Sequence, residues 1–329
     1  MKTSIGTATP EELIQEVVKR EHELHKPPAW ELSGKYLLDL EITEMPTLVE
    51  PFIQKKGLAA LAGPSDSGKS TLLRQLAVAI VNRRKDFLGF PLNIEHGSVI
   101  YVSTEDNDEE SNSLFLNRMN DGINIRDGLE NLRVIIDTEN IVDKLDQSLS
   151  RKKADLVIID CFHDLYGGIM NEGNKVRTFL HQYSNLITKH GCLIIFLHHE
   201  GKGKESFEPN KNNILGSQGF EAKMRLVMLL RKDQDIIGRS HLCFVKGNYL
   251  SDEHKRESYV LNWDDHGIYT NSNERVPFFE LATDSRKDKK EEKIKKVKEL
   301  KDQGLTQIQI GKKTGLSQST ISNYIRDYY

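Results

Sequence analysis

"LAGPSDSGKSTLL", residues 61–73, decides how the rest of this chain is read. An apolar run enters a turn of small residues, and Lys69-Ser70 opens an apolar, helix-forming stretch, "STLLRQLAVAIVNRR". Residues Gly63 to Ser70 fit G-x-x-x-x-G-K-[ST] without a mismatch, between a strand and a helix, as the pattern requires. Gly63 and Gly68 permit a tight backbone path. The amides of residues 65–71, among them Ser65, Asp66, Ser67 and Thr71, then point at phosphate oxygens beside the positive end of the helix dipole. Lys69 supplies a point charge for the β- and γ-phosphates, and Ser70 offers a hydroxyl to Mg²⁺. The loop therefore predicts ATP and Mg²⁺ as ligands.

Further apolar runs follow at helix-length spacing: "SVIYVS" (98–103), "LRVIID" (132–137), "DLVIID" (155–160) and "CLIIFL" (192–197). This pattern predicts parallel strands joined by helical crossovers, an α/β fold with a mainly parallel sheet. Three more closely spaced runs, "RLVMLLR" (225–231), "HLCFVK" (241–246) and "SYVLNW" (258–263), predict antiparallel strands extending one edge. Residues 11–26 have helical spacing and end at Pro27-Pro28, so a helix is expected there. The expected divisions are 1–44, a helical segment; 45–283, the α/β domain; and 284–329, a linker and a small all-α domain.

Ligand sites in such sheets lie at the carboxyl edge, so acids at strand ends are candidates. Asp160 ends an apolar strand and is suited to the Mg²⁺ shell. Glu105 follows another strand within "STEDNDEE" and can orient or deprotonate a water, with Asp106 and Asp108 as alternatives. His198-His199 ends a third strand and is suited to sensing the γ-phosphate. A metal site would need further ligands at suitable spacing, and the sequence shows none. The Gly-, Lys- and Asn-rich loop 201–219 is expected to be mobile and to follow a nucleic-acid backbone or simply face solvent.

Composition sets limits. The chain has 329 residues, 37% hydrophobic and 29% charged, as in a soluble globular protein. No run approaches the roughly 18–20 apolar residues of a membrane span, and the N-terminus lacks a signal-peptide core. Cys161, Cys192 and Cys243 stand far apart and read as free thiols in a cytoplasmic protein. Residues 286–329 carry 12 Lys+Arg against 6 Asp+Glu, a charge of +6, and the whole chain carries −3, leaving −9 on the rest. A basic tail on an acidic body points an anionic partner to the C-terminus.

That tail, "KIKKVKELKDQGLTQIQIGKKTGLSQSTISNYIRDYY", reads as three short helices. Ile294, Val297 and Leu300 form one stripe, and Gly304 stops the first helix. Gly315 sits in the next turn, and Ser317 caps the third helix, with Ile321 and Ile325 inward. This resembles a helix-turn-helix whose third helix enters the major groove of DNA. Gln318, Ser319, Thr320, Ser322 and Asn323 then face base edges, and Lys312, Lys313 and Arg326 face phosphates.

Over roughly residues 45–265 the chain resembles the RepA-type plasmid replicative helicases among RecA-like ATPases. The likeness rests on "GPSDSGKST", "VIYVSTED", "DLVIIDCFHDL", "GCLIIFLHHEGKG", "GSQGFEAKMRLVMLL" and "FVKGNYL", in that order. It implies a six-membered ring of identical subunits with ATP between neighbours. It implies Lys69 and Ser70 as the phosphate-loop pair, Glu105 as the catalytic glutamate, Asp160 as the magnesium aspartate and His198-His199 as the γ-phosphate sensor. Lys223 and Arg225 become a basic pair reaching into the neighbour's site, expected on one face of a strand. The added C-terminal segment departs from relatives that end with the ATPase core. It leaves two readings, a DNA-remodelling motor and an ATP-gated DNA-binding regulator. A small-acceptor kinase would leave the basic tail unexplained.

Overall fold

This computed structural model describes residues 31–282 and 286–328, apart from Asn107, Asn124 and Arg126. The helix expected at 11–26 lies outside the described residues. The chain divides into two compact units, 1–45 and 46–329. In the first, a helix spans Gly34–Asp39, capped by Ser33, whose Oγ accepts from the Tyr36 amide at 3.1 Å.

The second unit is built on a nine-stranded sheet. Its strands are β1 (Gly57–Gly63), β2 (Val99–Ser103), β3 (Leu132–Ile135), β4 (Leu156–Asp160), β5 (Leu193–His199), β6 (Leu226–Lys232), β7 (Arg239–Gly247), β8 (Glu257–Trp263) and β9 (Tyr269–Pro277). They lie in the order β9-β8-β7-β6-β1-β5-β4-β2-β3. From β6 to β3 every pairing is parallel, and β6 through β9 pair antiparallel. The run at 225–231, expected as an antiparallel strand, is thus parallel to β1 and antiparallel only to β7. β9 has no counterpart among the expected strands because "YTNSNERVP" lacks an apolar run.

Helices cover both faces: α1 (Lys69–Val81), α2 (Glu109–Gly122), α3 (Ile141–Arg151) and α4 (Gly173–His190). Alternate residues of β1 serve the two sides. Ala59 and Leu61 pack with Leu72, Leu73, Leu76 and Ile80 of α1, while Leu58, Ala60 and Ala62 pack with Leu145 of α3 and Leu180 and Tyr183 of α4. Burial on both faces is why these strands read as unbroken apolar runs. Leu76 is fully buried, and truncating such a leucine to alanine costs about 2–5 kcal/mol.

After a short helix α5 (Ser217–Glu221), the chain ends in α6 (Arg286–Asp302), α7 (Gln307–Thr314) and α8 (Gln318–Tyr328). Val297, Leu300, Ile310 and Ile321 form their shared core. Thr306 and Gln309 make a reciprocal capping box at the start of α7. Gly304 and Gly315 take φ of +81° and +71° at the two turns, where other residues are strained. No helix among the described residues is long and apolar enough to cross a membrane.

Candidate active site

The site grows from the carboxyl ends of β1, β4, β2 and β5. Gly63 ends β1, and a Cβ there would stand 2.3 Å from the Leu230 carbonyl oxygen of β6. Gly68 turns the chain into α1 with φ +87°, and a Cβ there would meet the Tyr269 hydroxyl at 2.0 Å. The two glycines are therefore required by packing as well as by the turn. Ser65 and Asp66 are exposed, Ser67 is buried, and Ser70 and Thr71 are half-buried. The Lys69 ammonium is held inside the loop, donating to the Pro64 carbonyl at 2.6 Å and the Gly63 carbonyl at 3.2 Å. Burial pulls its pKa down against the opposing pull of Asp160 and Glu105.

Asp160 is the last residue of β4 and is 5% exposed. Burial raises its pKa, and hydrogen bonds from Tyr101 and Ser70, with the Arg74 charge, work against the rise. Ser70 and Asp160 are thus neighbours. A serine hydroxyl beside a buried carboxylate is a donor set that fits Mg²⁺.

Arg74 is absent from the candidates read in the sequence. It lies one helical turn beyond Ser70, a spacing that puts both on one face of α1 and is the signal that could have found it. Its guanidinium sits 4.7 Å from the Tyr101 ring and 4.3 Å from the Phe115 ring, and bonds Asp106 at 3.0 Å.

The acids after β2 separate by task. Asp108 caps α2, accepting from the Ser111 amide at 2.6 Å. Asp106 pairs with Arg74. Glu105 is exposed and has its Oε1 3.8 Å from the His199 Nε2. Thr104 fixes this corner. Its amide and hydroxyl both donate to the Asp160 carbonyl at 2.7 Å, and its hydroxyl accepts from the Cys161 amide at 2.6 Å. Burial pushes the Cys161 thiol up to about 12.

The histidine pair divides, because successive strand residues face opposite sides. His199 faces Glu105, and its pKa is lowered by burial and by Lys69. His198 is fully buried against Phe162 and Phe220, with ring centroids at 5.4 and 4.5 Å, and its Nε2 donates to the Leu215 carbonyl at 3.0 Å. Burial lowers its pKa to about 3. The structure brings only His199 to the acid cluster.

The loop 201–219 is tied at several points, against the expectation of mobility. Gly201 donates to Asn213, Leu215 donates to His199, and Arg231 donates to the Phe207 and Lys204 carbonyls while pairing with Glu200. Lys223 and Arg225 also differ from expectation. They lie in the turn before β6, around buried Met224, rather than within a strand. The Arg225 amide donates to the Leu58 carbonyl and its side chain passes over Gly57. That is the amino edge of β1, six residues and about 20 Å from Gly63 at the other end.

In the terminal helices Lys312, Lys313, Gln318, Ser319, Ser322, Asn323 and Arg326 are exposed and Thr320 is half-buried. The Thr320 amide donates to Ser317 Oγ at 3.1 Å, the expected cap. The Arg326 charge also reaches Asp252 of the sheet domain, whose pKa is lowered first by Lys255.

Comparison with known proteins agrees with this architecture. No curated protein matches the chain. Among solved structures, the ATPase domain of a replicative helicase matches with a TM-score of 0.52 at 12% identity, over 81% of this chain and 99% of that one. At that identity the likeness speaks to the fold, which is a RecA-like P-loop ATPase core with a helical C-terminal domain. A helix-turn-helix family matches residues 294–329. The AAA domain family matches residues 21–205, more than half of the chain, and the chain belongs to that family.

Proposed function

We propose that this protein hydrolyses ATP at a site shared between identical subunits and uses the cycle to act on DNA, as RepA-type hexameric helicases do. The observation that carries this reading is the separation of the charged groups. Lys69, Ser70, Asp160, Glu105 and His199 gather at the carboxyl edge of the sheet, and Arg225 stands at the amino edge. Arg225 is too far to reach its own phosphate loop, and a ring brings it to the next subunit's loop.

In the proposed reaction, water attacks the γ-phosphorus. The new O–P bond forms as the bond to the bridging oxygen breaks, and ADP leaves. Glu105 accepts the water proton. Lys69 neutralises charge on the β- and γ-phosphates, and Arg225 of the neighbour does so from the other side. Ser70 and Asp160 would hold Mg²⁺, which supplies Lewis-acid neutralisation of the phosphates. His199, beside Glu105, reports the presence of the γ-phosphate.

The exposed polar face of α8 favours a second reading, an ATP-gated regulator gripping a duplex site. Gln318, Ser319, Ser322 and Asn323 suit base readout, for which a processive motor has no evident use. ATP turnover of the wild type and of Lys69→Ala, alone, with single-stranded DNA and with duplex, separates the two. Strong stimulation by single strands supports the motor. Slow turnover indifferent to single strands, with tight duplex binding through 292–329, supports the regulator. Turnover surviving in Lys69→Ala contradicts both.

A further inference from the structure

Three chemically different ligands meet beside the phosphate loop: the Glu105 carboxylate, the Cys161 sulfur and a His199 ring nitrogen, all within 4.8 Å of one another. Their meeting follows from strand order. β2, β4 and β5 are neighbours, and the three residues end or just follow those strands. Sequence spacing gives no hint, since the residues stand 56 and 38 positions apart.

We propose that this corner is a binding site for a thiophilic divalent cation, Zn²⁺ in the first instance, distinct in chemistry from the Ser70–Asp160 oxygen pair. Sulfur, imidazole and carboxylate together select zinc, cobalt or cadmium over magnesium, which prefers oxygen alone. A tetrahedral metal at about 2.0–2.3 Å from each donor sets the donors about 3.4–3.7 Å apart. His199 and Glu105 already stand at 3.8 Å. The remaining contraction falls to Glu105, whose exposed side chain is free to rotate. On binding, a metal–sulfur bond replaces the Cys161 S–H bond and one proton passes to solvent. Three protein ligands leave the fourth position for water.

Occupancy takes the Glu105 carboxylate away from the attacking water, so the metal inhibits ATP turnover reversibly. That consequence rests on the ATPase reading above, whereas the site itself does not.

Cobalt is the probe that separates the two. The full chain is titrated with Co²⁺ and the near-ultraviolet thiolate-to-cobalt band is followed. The comparison set is Cys161→Ser and Cys161→Ala, with Cys192→Ser and Cys243→Ser as controls. Mg²⁺-supported ATP turnover of the same proteins is then measured with rising Zn²⁺. The band is expected in the wild type and both controls and absent from both Cys161 variants. Those variants should turn over ATP normally without zinc and need at least about tenfold more zinc for half-inhibition. A wild type without the band, a band persisting in the folded Cys161 variants, or equal zinc sensitivity overturns the proposal. If the chain turns over no ATP, the cobalt band still decides the site.

Discussion

The Gln75 carboxamide bonds both backbone groups of Tyr269, donating to its carbonyl and accepting from its amide at 2.8 Å each. This pair joins the helix that begins with Lys69 to the first residue of β9, the outermost strand of the sheet. The Tyr269 ring thereby comes to lie under Gly68, with its hydroxyl 3.4 Å from the Ser67 carbonyl. The phosphate loop is thus supported from below by a strand four places away in the sheet. Replacing Gln75 with alanine leaves two buried backbone groups unpaired, at about 1–3 kcal/mol each. Urea unfolding should show a loss of about 2–5 kcal/mol for Gln75→Ala. Gln75→Glu keeps the acceptor alone and should fall between.

Gly68→Ala meets two obstacles, the Tyr269 hydroxyl and a φ of +87°. ATP turnover should fall by about 100-fold or more, the range seen when a transition-state donor is lost. Gly68→Ala with Tyr269→Phe removes the clash but leaves the backbone strain of about 1–2 kcal/mol. The double variant should recover part of the activity. Full recovery would mean that the turn geometry is unimportant.

Arg231 and Glu200 form a buried ion pair, with side chains 6% and 1% exposed, and Arg231 also holds the 201–219 loop. Arg231→Met strands the Glu200 charge, at about 3–5 kcal/mol, lowering Tm by roughly 10 °C. Replacing both residues with apolar ones should restore most of that stability. If loop 201–219 contacts DNA, Arg231→Met also weakens DNA binding, and the restored double variant does not regain it.

The main strands are legible in the sequence because burial on both faces leaves an apolar signature, as in residues 155–160 and 192–197. The phosphate loop is legible because its chemistry is local. β9 is not, since its alternating polar residues signal neither core nor turn. Gln75–Tyr269 and Glu105–Cys161–His199 are hidden for another reason: each exists only once the strand order is known. The histidine pair shows a third limit. Adjacent letters suggest a joint role, and strand alternation sends one ring into the core. Arg225 reads as a strand residue, and only the parallel pairing of β6 with β1 reveals that it lies at the opposite edge.

His198 also makes a pH prediction. Its pKa is lowered to about 3 by burial, whereas an unfolded histidine titrates near about 6.5. Between those values the unfolded chain holds one more proton, so stability rises with pH and is lost as pH falls through that window. The slope from this one group is about 1.4 kcal/mol per pH unit. His198→Gln should show a shallower decline than the wild type between pH 6 and pH 5 by about that amount. Parallel curves would place the ionisation elsewhere.

The shared site is the account's central claim, and subunit mixing tests it most directly. Arg225→Ala and Glu105→Gln each remove one half of the site from a different edge of the sheet, so each alone should hydrolyse ATP poorly. In random mixtures an Arg225→Ala subunit supplies Glu105 while its Glu105→Gln neighbour supplies Arg225. About a quarter of head-to-tail interfaces are then intact at equal proportions. The account predicts turnover that rises on mixing and peaks near equal amounts. Turnover that stays at the level of the separate variants at every ratio would contradict it.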